Sequence, residues 1–450
     1  MERQRLIANP YRPGAGHRPP FLAGREKEQD HFWRLLRQNY TTENILITGL
    51  RGFGKTVLLE DLRRMALTEG WVWVGNDLSE SSSVSEERLA LRILTDLSQA
   101  LSEVLANATA PKPIPSGQHP QETSDELDPS TFAALKAKYE QTPGLPSDKL
   151  KTVFSRIGSV LSKAKLQGIV LAYDEAHCLT DHAQHDEFPL SMLIEMIESL
   201  QKKEGVAPIL LVLSGLPQMF DSLIKAHTYT ERMFHVMHMD RLSPQDTLTA
   251  FLAPLEPLMP PLHCPRDLIE KVVEMTGGYP YLIQFFGKEL VDALLKNGGT
   301  LETYEFPDAG VMDRLDIGLF AARWHKTTDM QRKFLKLIAS RERAGLGEFT
   351  QQEIAQLNSG NPRFDHEQVN EMMIELSNCG LIYRTRRGHY AFTVPMSETM
   401  IMRRMQNENE DGDQSTLASR SPSIIPPEPT KPKKTATKRK LYVRGPWIDE

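Results

Sequence analysis

Three cysteines in 450 residues, Cys178, Cys264 and Cys379, stand far apart without a CxxC pair, which excludes a disulfide framework and a zinc ribbon. Long apolar runs are missing as well. No window approaches about 18 uninterrupted apolar residues, and the opening MERQRLIANPYRPGAG has no signal-peptide core. The expectation is a cytoplasmic protein without a membrane partner. Nor is there a surplus of positive charge: 53 Lys and Arg face 59 Asp and Glu, a net charge of −6. Overall basicity therefore does not announce nucleic acid. What remains is an ordinary globular composition, 40% hydrophobic and 25% charged, on a chain long enough for about three domains.

The run NILIT from Asn44 ends in a glycine loop and passes into VLLEDLRRMA, which has helical spacing; this reads as strand, loop, helix. WVWV at 71–74 is a second strand, ERLALRILTDLSQALSEVL a long amphipathic helix, and GIVLAYDE and APILLVLSGLP two further buried strands. Strands alternating with helices predict an α/β P-loop NTPase fold, a parallel sheet with helices on both faces, spanning residues 22–240 after an N-terminal arm, 1–21. Residues 107–150, rich in Pro, Ser, Thr and Asp, read as a loosely ordered insertion. After residue 241 strand signals stop, and 241–322 reads as a helical lid. Residues 323–406 give three helices, TDMQRKFLKLIAS, FTQQEIAQLN and HEQVNEMMIELSNCG, and a hairpin around Arg387-Gly388, a winged helix. Residues 407–450, with KPKKTATKRK, read as a disordered basic tail.

GLRGFGKT matches G-x-x-x-x-G-K-[ST] between a strand and a helix. Backbone N–H groups of Gly49, Leu50, Arg51, Gly52, Phe53 and Gly54, with Val57 behind them, would curl around the phosphates of ATP at a helix N-terminus. Lys55 would reach the β- and γ-phosphates, and the Thr56 hydroxyl would ligate Mg²⁺. Asp174, at the end of IVLAY, supplies the hard oxygen that Mg²⁺ requires, and Glu175 the base that takes a proton from, or orients, the attacking water. The same stretch, DEAHCLTDHAQH, also invites a helicase and a metal reading. The first lacks a second recombination-like domain. The second has one cysteine and three histidines, His177, His182 and His185, without paired spacing. His177 is left either to sense the γ-phosphate or to cap a turn.

NPYRPGAG, PPFLAGREKE, GLRGFGKT, LAYDEAH, LVLSGLP, YTERMF and TGGYPYLIQ together resemble the AAA+-type ATPases with an origin-recognition-complex-like domain, close to the STAND ATPases, over residues 9 to 404. The resemblance implies an adenine pocket lined by Leu22, Ala23, Gly24 and Arg25, though the segment also reads as a helix-start turn. It implies a sensor role for Ser214, which could equally cap its strand. Arg232 would reach a neighbour's γ-phosphate in a nucleotide-dependent homo-oligomer, or only form salt bridges. Pro280 of GGYP would pack near the nucleotide. TGGYPYLIQFF has no lid arginine, which favours a slow nucleotide-controlled switch over rapid turnover.

Two further partner classes stay open. From Arg323 to Arg404 the chain has 13 Lys and Arg against 9 Asp and Glu. Glu367, Glu371 and Glu375 nevertheless put an acidic stripe on the third helix, which disfavours insertion into a DNA groove, with Val369, Met372, Met373 and Leu376 on its other face as core. Arg384, Arg386, Arg387 and His389 at the hairpin tip, and Lys431, Lys433, Lys434, Lys438, Arg439 and Lys440 in the tail, could contact DNA phosphates. The acidic face and the terminal YVRGPWIDE, with Tyr442, Trp447 and Ile448, could instead dock on a protein partner.

Overall fold

The structure is a computed structural model that describes residues 9–14, 16–38, 40–108, 131–227, 229–258, 264–297, 306–341, 347–357, 366–386 and 388–406. Much of the 107–150 segment, and all of 407–450 with its lysine cluster and YVRGPWIDE, lie outside them.

After α1 (Glu26–Leu36) the chain alternates strand and helix: β1 (Asn44–Gly49), α2 (Lys55–Thr68), β2 (Val72–Val74), α3 (Glu80–Ser83), α4 (Glu86–Ala108), α5 (Phe132–Gln141), α6 (Pro146–Lys163) and β3 (Ile169–Tyr173). It continues through α7 (Pro189–Gln201), β4 (Ile209–Gly215), α8 (Gln218–Ala226), α9 (Thr230–Met233) and β5 (Phe234–Met239). The strands form one parallel sheet in the order β2-β3-β4-β1-β5. β1, β3 and β4 are buried along their whole length, because alternate side chains serve two cores. Ile45, Ile47, Val170, Ala172, Leu210 and Val212 pack on the α2 side, while Leu46, Ile169, Leu171, Tyr173, Leu211 and Leu213 pack on the other.

Two features of residues 22–240 depart from the sequence reading. Residues 132–141 and 146–150 of the segment expected to be loosely ordered are helical. Pro146 sits in the first turn of α6, where a missing N–H costs nothing, and Leu135, Tyr139, Leu150 and Val153 bury against α4. The strand β5, FHVMHM, is the second departure; it closes the sheet by pairing with β1 from Asn44↔Phe234 to Gly49↔Met239.

Beyond β5 come α10 (Pro244–Leu252), α11 (Arg266–Thr276), α12 (Pro280–Lys296), α13 (Ala309–Leu315), a π turn at Asp316–Phe320 and α14 (Ala321–Trp324). The arm is pinned to them: Asn9 Nδ2 donates to Lys288 O and Asp292 Oδ1, both at 2.8 Å, and Tyr11 is buried with its hydroxyl on Phe251 O.

The last described unit holds α15 (Asp329–Ala339), β6 (Glu348–Thr350), α16 (Gln351–Leu357), α17 (His366–Asn378), β7 (Ile382–Arg386) and β8 (His389–Phe392), with an antiparallel sheet in the order β6-β8-β7. FTQQEIAQLN is thus not helical throughout. Phe349 and Thr350 pair with β8, and the helix starts at Gln351 because Thr350 and Glu353 exchange side-chain and backbone bonds of 2.8 and 3.1 Å as a capping box. Val369, Met373 and Leu376 of α17 are buried and Met372 packs beside them, as the sequence predicts. The core on the α2 face runs without a break through Phe286, Phe306, Phe320 and Trp324 into Phe334 and Phe349. Among the described residues no helix is long and apolar enough to cross a membrane.

Candidate functional site

The loop between β1 and α2 owes its shape to glycine. Gly52 and Gly54 both lie at φ +88°, a region that L side chains rarely enter. Gly54 is the N-cap of α2, so the loop delivers the chain to a helix N-terminus whose first N–H groups lack intrahelical partners. Behind it, Gly49 and Leu50 turn their carbonyls to Lys55 Nζ, at 2.9 and 3.1 Å. Lys55 is 7% exposed. Burial pulls its pKa below the ordinary lysine value and Arg51 acts the same way, against Asp174 and Glu175.

β3 ends at Tyr173, so Asp174 emerges beside α2. Its carboxylate, 2% exposed, accepts from Thr56 Oγ1 at 2.5 Å, from Ser214 Oγ at 2.6 Å and from the Glu175 N–H at 2.8 Å. Ser214 comes from the end of β4 and is fully buried. Its hydroxyl donates to Asp174, a contact that holds the carboxylate in position. Glu175 turns away from Asp174 by adopting φ +51°, with Oε2 3.3 Å from His177 Nδ1. Burial lowers the His177 pKa, Arg51 and Lys55 reinforce the shift, and Glu175 opposes it.

Asp174 lines an adjoining pocket that shares Thr56, while Lys55, Thr56 and Glu175 open onto a cleft of about 570 Å³ between core, arm and lid. Its walls include Leu22, Arg25, Arg51, Gly52, Phe53, Gly54, Lys55, Thr56, Val57, Glu175 and Pro280. Gly24 stands outside the lining, at φ +65°, where a Cβ would come within 2.8 Å of Asp246 Oδ2. Arg25 braces the P-loop rather than merely starting α1: its guanidinium donates to Asp240 O at 2.8 Å and Phe53 O at 3.4 Å. Pro19, Phe21, Ala250 and Ile283 add an apolar wall to the same cleft, so it offers both an apolar and a cationic lining, as a nucleotide requires.

Arg232 is not brought to this cleft. It is exposed on α9, just before β5 begins opposite Asn44, at the far end of β1 from the P-loop. His177, Cys178, His182 and His185 do not converge as ligands. Among the described residues the group that could hold a metal is His31, Glu43 and His235. The two imidazoles there stack at 3.8 Å and 19°. An ion must lie near the plane of each ring that binds it, about 2 Å from the nitrogen, and near-parallel rings do not offer both.

Three contributors escape a reading of the sequence alone. Tyr279, inside GGYP, donates its hydroxyl to Arg51 O at 2.6 Å and packs edge-on to Phe53 at 5.4 Å. Arg12 of the arm lines the cleft. So does Arg323, from α14. The segment TGGYPYLIQFF does lack an arginine, but one reaches the cleft from a helix that the sequence pattern places in the C-terminal unit.

Residues 22–212 match the family model described as AAA ATPase domain, and residues 317–401 match a domain of unknown function, DUF8462. No curated protein sequence matches the chain. In fold, the chain is similar to the Walker-type ATPase PabY2304 of Pyrococcus abyssi, at 17% identity and TM-score 0.51, covering 86% of this chain and 97% of that one. It is similar also to the ORC2 protein of Aeropyrum pernix in its ADPNP–ADP complexes, at 14% identity and TM-score 0.51, covering 90% and 98%. Residues 22–212 thus match an AAA ATPase domain, and the chain has the P-loop NTPase fold, a five-stranded parallel sheet flanked by helices.

Proposed function

We propose that the chain is a Mg²⁺-dependent ATPase that works as a nucleotide-controlled switch, with ATP between the α/β core and the lid. The observation that carries this reading is the buried Asp174 carboxylate held against the Thr56 hydroxyl at the mouth of a glycine loop. Two hard oxygens on adjoining elements, beside a helix N-terminus, fit a magnesium ion. Thr56 and Asp174 would hold that ion, which neutralises charge on the phosphates. Ser214 keeps Asp174 in place. Lys55 exchanges its loop carbonyls for phosphate oxygens, and Glu175, which lines the cleft with His177 Nδ1 3.3 Å from its carboxylate, takes the proton of the attacking water. Leu22, Arg25 and Pro280 flank the base and sugar, and the P-loop backbone from Gly49 to Val57 cradles the phosphates.

The test is equilibrium binding and turnover of ATP. Lys55→Ala should weaken binding by roughly 10- to 100-fold, the worth of charge-assisted hydrogen bonds. Glu175→Gln should bind like the parent and turn over about 10² to 10⁴ more slowly. Parent-like binding and turnover in both variants would refute the assignment.

The helices and antiparallel sheet of the C-terminal unit support a winged helix as the switched element. The exposed Glu367, Glu371 and Glu375 on α17 argue against groove insertion, whereas Arg384, exposed on β7, favours phosphate contact without base reading. A DNA-binding role predicts affinity that falls steeply with salt; salt-independent or absent binding sinks it. Arg232, remote from its own P-loop, would serve a neighbouring copy, so nucleotide-dependent assembly seen by mass photometry, and its loss in Arg232→Ala, tests that role. A protein partner is the remaining alternative, read from the acidic face of α17.

A further inference from the structure

Arg323 is the cation that the lid motif does not supply. It lies on α14, in the segment that matches the domain of unknown function, yet its side chain lines the cleft with Arg51, Tyr279 and Lys55. One guanidinium nitrogen donates to Leu319 O at 3.2 Å. Among the described residues neither Arg323 nor Arg51 has a carboxylate within ion-pairing distance. A half-buried guanidinium without an acid is costly, and a second cation beside it makes it more so. Burial lowers the Arg323 pKa and Arg51 pushes it the same way, with Tyr279 in opposition. Lys55 and Glu175 line the same cleft as the two arginines. Arg323 is half-buried and Arg51 exposed on the lining of that cleft, so an anion entering there would meet two guanidiniums that no acid among the described residues already holds.

We propose that Arg323 and Arg51 together bind the terminal phosphate of a nucleoside triphosphate, so that the C-terminal unit itself reads whether the nucleotide is a triphosphate or a diphosphate. The inference rests on the nucleotide-site reading above and adds the residue that carries occupancy out of the ATPase core. A planar, permanently charged fork suits phosphoryl oxygens. α14 lies between the lid and α15, with Phe320 and Trp324 buried in the shared core, so a pull on Arg323 is a pull on that joint. Removing the terminal phosphate would take away the anion that the two cations share and loosen the contact.

The experiment measures binding of ATP and ADP, with Mg²⁺, to the full chain and to Lys55→Ala, Arg323→Gln and Arg323→Lys, together with ligand-free melting temperatures. Arg323→Gln should weaken ATP about tenfold or more and ADP less than about threefold, and Arg323→Lys should recover part of the loss. The ligand-free Arg323→Gln protein should melt at or above the parent, because an uncompensated charge has gone. Equal ATP affinity in Arg323→Gln and parent, an equal loss for both nucleotides, or a lowered ligand-free melting temperature would overturn the proposal. If Lys55→Ala binds ATP like the parent, the nucleotide-site reading itself fails and this inference with it. If only Arg323→Gln is unaffected, the site stands and Arg323 has no part in it.

Discussion

At the residue scale the P-loop depends on close contacts that a single atom would break. A Cβ on Gly52 would fall 2.2 Å from Tyr279 Oη, at a φ that already strains any other residue. Gly52→Ala should therefore push Tyr279 off Arg51 O and lower ATP affinity by about tenfold or more, a loss that titration of a labelled nucleotide would register. Tyr279→Phe makes the narrower test. Burial raises the Tyr279 pKa to about 12, so the phenol stays a donor throughout the neutral range, and its removal leaves Arg51 O short of a partner. The expected cost is about 1 kcal/mol of loop stability, visible as faster amide exchange over residues 50–54; unchanged exchange would contradict it. Asp174 and Glu175 are legible in the sequence because the acid pair follows an apolar run with a P-loop upstream. Tyr279 and Arg323 are not, because the P-loop whose cleft they line lies more than 220 residues upstream, so their part in it leaves no local pattern.

Secondary elements are legible where apolar periodicity is strong and illegible where polar residues interrupt it. β1, β3 and β4 are dominated by apolar runs and read as buried strands. β5 escapes because histidines occupy positions 235 and 238. His238 Nδ1 lies 3.0 Å from Thr48 Oγ1, and His235 stacks on His31 of α1, so both have uses that hydropathy does not record. Pro146 reads as part of a proline-rich loop although it starts α6. The His31 stack, which joins α1, β1 and β5, predicts a pH response. His31 Nε2 is 3.1 Å from Glu43 Oε1, yet burial, followed by His235, keeps its pKa below the ordinary histidine value against the pull of Glu43, and Arg34 adds to the lowering. The unfolded chain then takes the proton first. Stability is present above about pH 6.5 and is lost as pH falls from there through the depressed folded value. His31→Phe should flatten this segment of a stability-versus-pH curve measured by denaturant unfolding. An unaltered slope would show that protonation of His31 is not linked to the fold.

At the scale of the whole molecule the sequence divides more readily than the structure does. The change of pattern near residue 323 suggests a boundary between lid and C-terminal unit, whereas the family match begins at 317 and the buried core passes from Phe306 through Trp324 to Phe349. Composition changes where the chain changes its local periodicity; it does not report which faces are later covered. The far end of the described chain is fastened back onto the same joint. Arg404 pairs with Asp316 through two nitrogens, at 2.9 and 2.5 Å, and Arg403 with Asp313 at 2.8 Å. Arg341, 7% exposed, pairs with Glu398 at 3.0 Å and lies over the Phe349 ring at 4.7 Å. Exposed pairs contribute little, but a buried arginine whose acid is removed retains its desolvation cost. Glu398→Ala should thus cost about 3 kcal/mol, whereas Glu398→Gln, which still offers an acceptor, should cost less. Because one core joins the lid to the C-terminal unit, the loss should lower the unfolding midpoint of both together, followed by exchange of α12 and α17 amides in the same sample. Destabilisation confined to α17 would mean that the continuous core does not make them a single cooperative unit.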